Sequence, residues 1–186
     1  MDAANLLSEQ AVTGWLLILS SLLFLPSGLL YTARVIWQRP AAQSRRYLYL
    51  ERGLVMAAML TAALGLVLLA QLLESAGDSV LSSMGMALFL IATVLIVAAE
   101  TFSLGRQEGL YPTIVVSVIL AFIGQALFGL SILRTGYLPA WVGWTAVIWN
   151  LAWLIILSVA RRQDMYYPWL HYLAPLVIGI ALLGRA

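Results

Sequence analysis

Cysteine is missing from this 186-residue chain, which removes disulfides, thiol redox chemistry, zinc-thiolate sites and iron–sulfur clusters together. Lysine is missing as well, so all ten basic residues are arginine. The single histidine, His171, argues against bis-histidine haem and against a histidine-built metal cage. Phosphate loops, dinucleotide fingerprints and spaced acid–histidine metal motifs are absent too, so no cofactor, metal or nucleic acid is expected. Charge of either sign is scarce at 10% of residues, whereas 63% are hydrophobic and the mean hydropathy is +0.97. A water-soluble domain of this size could not carry that composition without a very large exposed apolar surface. The solvent must be lipid.

What is present is a series of apolar runs, each near the ~20 residues needed to cross a hydrocarbon core. They cover about residues 11–37, 50–73, 80–104, 111–133, 138–160 and 168–183. These runs are too long for barrel strands and lack alternation, so they read as helices. The expected fold is an all-α membrane protein, a bundle of six transmembrane helices that uses residues 1–186 as a single domain. Pro112, Pro139 and Pro168 stand where helices begin, and Pro26 and Pro175 inside their runs predict kinks. Gly14-Trp15 and Gly143-Trp144 stand at similar distances before an arginine in the first and fifth runs, either as traces of a repeat or by chance.

Arginine placement sets the orientation, because cytoplasmic connections retain basic residues. Arg34, Arg39, Arg45, Arg46, Arg52, Arg106, Arg161 and Arg162 fall on one side, and only Arg134 and Arg185 on the other, with Asp2, Glu9, Glu74 and Asp78. Both termini are therefore expected outside, in a multi-pass protein of the cytoplasmic (inner) membrane. The first run is not expected to be a cleaved signal peptide, since Asp2 and Glu9 precede it instead of a basic region.

Polar residues within the runs carry the functional signal, because each is costly in hydrocarbon without a partner. Gln125 and Asn150 fall near the middle of the fourth and fifth runs, which a short turn makes antiparallel neighbours. Their amides are expected either to bond to each other as interhelical glue or to be the polar contacts of a ligand pocket walled by Trp149 and Trp153. Ala121, Gln125 and Gly129 recur every fourth residue, a narrow face suited to close helix approach. A second group, Arg34, Glu51, Arg52, Glu100 and His171, is expected at one depth toward the cytoplasmic side. Its simplest role is mutual charge neutralisation, and the alternative is a proton- or substrate-handling carboxylate in which Glu100 pairs with His171. Ser27 and His171 could form a hydrolytic pair only if they came within hydrogen-bond reach, and the expected depths set them apart. No other catalytic arrangement is present.

The stretch from Phe128 to Gly143, with its Gly136-Tyr137-Leu138-Pro139 turn, resembles the hairpin of a large, uncharacterised family of six-helix bacterial integral membrane proteins, classed as a domain of unknown function. That resemblance implies a six-helix fold and supplies no activity or site residue. The expected function is binding or transport of a small, largely apolar ligand within the bundle. The alternative is a non-catalytic structural or assembly subunit. Expected partners are membrane lipid, such a ligand, and a second copy or another membrane protein.

Overall fold

The computed structural model describes residues 8–106, 110–160 and 168–185. Asp2, residues 107–109 of the third connection, Arg161 and Arg162 lie outside the described residues. Among those described there are six α-helices and no strand: α1 (Glu9–Tyr31), α2 (Arg45–Ser75), α3 (Val80–Arg106), α4 (Tyr111–Thr135), α5 (Ala140–Ala160) and α6 (Leu173–Leu183). Five of these, α1 to α5, are long and apolar enough to cross a membrane.

Local chemistry marks the helix ends. Ser8 caps α1, its hydroxyl accepting from the Ala11 amide at 3.1 Å, and Ser44 caps α2 by accepting from Tyr47. The second helix therefore starts five residues before its apolar run, because a cap and not hydrophobicity decides where a helix begins. Asp78 does the same for α3, its carboxylate accepting from the Leu81 amide. At the end of α4, Gly136 takes the left-handed conformation at φ 63° and Pro139 follows, so the Gly-Tyr-Leu-Pro segment is a tight helix-to-helix turn.

The first and sixth runs depart from plain helices. After Pro26, α1 continues to its last turn and then widens into a π turn over Thr32–Ile36, closed by the Trp37 amide donating to Thr32. The sixth run begins as a 3-10 turn over Pro168–His171 and passes through Tyr172, itself helical at φ -79° and ψ -30°, into α6, so Pro175 falls in the first turn of the α-helix and not mid-span. There its missing N–H costs nothing.

Each helix packs on the next in the chain and α6 returns to α1, closing a ring. Three reciprocal glycine contacts set the separations. A Cβ on Gly85 or Gly124 would lie within 2.9 Å of the other's carbonyl oxygen, and Gly129–Gly143 and Gly14–Gly179 meet in the same way. In lipid, where burial of apolar surface drives helices together weakly, such backbone approach supplies the packing. Gln10 donates to the Leu182 carbonyl and Arg185 lies over the Tyr137 ring, so α1 begins and α6 ends at the same end of the bundle.

The outer surface agrees with lipid contact. Leu22, Leu29, Leu64, Val94, Ile148 and Ile155 are all exposed. Exposed Trp15 and Trp37 sit 22 residues apart on α1 and its π turn. At ~1.5 Å per residue that is ~33 Å, close to the ~30 Å of a hydrocarbon core between its two aromatic belts.

Candidate functional site

Two groups of buried polar side chains stand at different heights. The first is a ladder of ion pairs at the arginine-rich end. Arg34 grips Glu51 with two parallel bonds, Nε to Oε2 and Nη2 to Oε1, each 2.7 Å. Arg52 Nε lies 3.6 Å from Glu51 Oε1, and Arg52 Nη1 donates to both oxygens of Glu100 at 2.6 and 2.7 Å. Both carboxylates have no exposed surface. Uncompensated, each would cost several kcal/mol (about 3–5 on loss of a partner), so the pairing is what lets them sit inside the bundle. Arg34 stands at the centre of the π turn, Thr32–Ile36. Four charges thus cancel while tying α1, α2 and α3 together.

His171 is not part of that ladder. Its ring stacks on Phe122 with centroids 4.6 Å apart and tilts against Phe24 at 5.8 Å. Phe122 is the twelfth of 25 residues in α4, and the Gly85–Gly124 contact brings it level with Ala87 on α3. Glu100 lies thirteen residues further along α3, about 20 Å away at ~1.5 Å per residue. The expected depth of His171 is therefore corrected from the cytoplasmic side to mid-height, and the Glu100–His171 pair is not assembled. The cause is the register of the sixth segment on α1: Trp169 packs against Gly28 and Gly179 against Gly14, which sets His171 between them beside Phe24. Depth consequently no longer separates Ser27 from His171, but the Ser27 hydroxyl donates to the Phe24 carbonyl at 2.7 Å.

The second group surrounds Phe122. Gln125 and Asn150 are both buried, at 2% and 0% exposure. They do not bond to each other. Asn150 Nδ2 donates to Ala146 in its own helix at 2.7 Å, and neither amide atom of Gln125 nor Asn150 Oδ1 has a hydrogen-bond partner among the described residues. Register is the reason: the Gly129–Gly143 contact sets Gln125 level with Val147 and Asn150 level with Phe122, about a turn apart. Trp149 spends its indole N–H on the Leu170 carbonyl at 2.7 Å, and Trp153 packs edge-on against it at 5.8 Å. Asn150, Trp149 and His171 thus stand near the level of Phe122, with Gln125 about a turn away.

No family model, curated protein or solved structure matches this chain. Among the described residues no group of three or more histidines or acids could hold a metal ion. What the mid-height group offers is hydrogen-bonding capacity: a donor and an acceptor on Gln125 and an acceptor on Asn150, set among aromatic rings.

One buried carboxylate escaped sequence reasoning. Asp78, 1% exposed in the α2–α3 turn, lies 3.4 Å from Arg134 and beside the Ser131 hydroxyl. Burial pushes its carboxyl up, but the Ser131 hydroxyl, the Leu81 and Ser82 backbone and the Arg134 charge together hold it below the usual carboxylate range. Its position beside turn glycine Gly77 reads as an ordinary exposed loop; only the distant Arg134 and Ser131 make it otherwise.

Proposed function

We propose that this chain is a six-span protein of the bacterial cytoplasmic membrane, with both termini outside, that binds or moves a small, largely apolar ligand at the level of Phe122, Gln125 and Asn150. The observation that carries the reading is the Gln125 amide, buried at mid-height with neither atom bonded among the described residues. An unsatisfied buried group costs about 1–3 kcal/mol, which a bound molecule carrying one donor and one acceptor on an apolar body would recover. The Gly129–Gly143 resemblance to an uncharacterised six-helix bacterial family supports the helix count.

Native mass spectrometry of the protein released from lipid tests the proposal. The wild type is expected to retain a small molecule that Gln125→Leu loses. A wild-type spectrum showing only bare protein and lipid would overturn it. A structural or assembly subunit is the second reading, favoured by the closed charge ladder and glycine contacts, which leave α1 to α3 with little to move. A stable oligomer or partner complex without retained ligand would select it.

A further inference from the structure

The connection between α1 and α2 is held in place at both ends. Ala42 is fully buried, Gln43 Nε2 donates to the Arg34 carbonyl at 3.0 Å, and Ser44 caps α2. Gln38 adopts φ 46°, a left-handed conformation uncommon outside glycine, and so turns the chain sharply between Trp37 and Arg39. The two side chains meet there, the Arg39 guanidinium 4.9 Å from the Trp37 ring. Arg45 repeats the arrangement on Tyr49, at 5.5 Å, with a bond of 3.1 Å to its hydroxyl.

Arg39, Arg45 and Arg46 are exposed, as are Trp37 and Tyr49, and no carboxylate among the described residues pairs with the three arginines. Arg34 and Arg52, by contrast, are cancelled by Glu51 and Glu100. Counted from the sequence, that end of the chain keeps Arg39, Arg45, Arg46, Arg106, Arg161 and Arg162 against Glu108 and Asp164, an excess of four positive charges. The opposite end carries Arg134 and Arg185 against Asp2, Glu9, Glu74 and Asp78, an excess of two negative ones.

We infer that the loop from Trp37 to Tyr49 binds the phosphate headgroups of anionic phospholipid in the leaflet it faces. Aromatic rings of this kind settle at the headgroup level. Guanidinium groups beside them, of which among the described residues only Arg45 spends a donor, on the Tyr49 hydroxyl, have the fork geometry that takes phosphate oxygens in pairs. The inference needs the chain to lie in a bilayer but is independent of the mid-height ligand. Each arginine is expected to contribute about fivefold in affinity, so three together contribute roughly a hundredfold.

The test is native mass spectrometry of the full-length protein released from vesicles of equal phosphatidylglycerol and phosphatidylcholine. Bound phosphatidylglycerol should dominate on the wild type, fade as salt is raised toward 1 M, and lose its advantage in the Arg39→Gln, Arg45→Gln, Arg46→Gln triple variant. Equal occupancy by the two lipids on the wild type, which needs no variant to fold, would overturn the inference. So would an unchanged preference in the triple variant.

Discussion

Arg52 presents one nitrogen, Nη1, to both carboxylate oxygens of Glu100, and the glutamate has no exposed surface. Removing the carboxylate leaves a part-buried guanidinium with only Glu51 nearby. Glu100→Gln is expected to destabilise the protein by about 3 kcal/mol or more, and the Glu100→Met, Arg52→Met double variant by less than the sum of the singles. Unfolding in mild detergent measures both. Additive losses would mean that the pair does not act as a unit.

Gln125 and Asn150 give the opposite expectation. Because they do not bond to each other and share no partner among the described residues, a thermodynamic cycle of Gln125→Leu, Asn150→Leu and the double variant should show coupling within about 0.3–0.5 kcal/mol of zero. In ligand-free protein, Gln125→Leu should raise stability by about 1 kcal/mol, since it deletes an unsatisfied amide. Coupling near 1 kcal/mol would restore the amide–amide bond that the observed register denies.

Glycine substitutions separate packing from propensity. A Cβ at position 124 would stand 2.8 Å from the Gly85 carbonyl oxygen, whereas one at Gly53 meets nothing within 4 Å. Gly124→Ala should cost about 1–3 kcal/mol by forcing α3 and α4 apart. Gly53→Ala should gain about 0.5–1 kcal/mol, because alanine loses less freedom in a helix. Melting midpoints of the two variants check the contrast, and equal shifts would contradict the close helix approach.

Asp78 predicts a pH dependence. Its carboxyl is held below the usual range when folded, so its stabilising contribution is complete above the unfolded value of about 3.9 and is lost as pH falls through the folded one. The stability difference between wild type and Asp78→Asn should therefore be constant from about pH 5 to 8 and shrink below about pH 4. A difference that grew on acidification would reverse the assigned direction.

Topology can be read directly. A reporter fused after Ala186 should score as periplasmic and one inserted in the loop at Gln38 as cytoplasmic, from the eight-to-two arginine split. A cytoplasmic signal from the C-terminal fusion would remove either the sixth span or the orientation.

That the chain is helical and apolar enough to span a membrane was legible in the residues themselves. Apolar runs of this length, without the alternation of barrel strands, specify helices suited to lipid, and five of the six runs became helices long enough and apolar enough to span. The partial exception is the sixth, where composition alone does not reveal that Pro168 to His171 is wound as a 3-10 turn ahead of α6. Hydropathy measures how greasy a segment is and not how it is wound.

The charged ladder was half visible: four of its five expected members meet, because opposite charges at similar depth in an apolar bundle have few other partners. Pairing within that ladder, the separation of His171 from it, and the failure of Gln125 to reach Asn150 were decided by tertiary structure. Depth can be counted along one helix, but the level at which two helices face each other depends on where their glycines touch. Gly85 on Gly124, Gly129 on Gly143 and Gly14 on Gly179 set those registers. No periodicity within a single helix encodes which glycine will find which, since contact requires two backbones to approach at once.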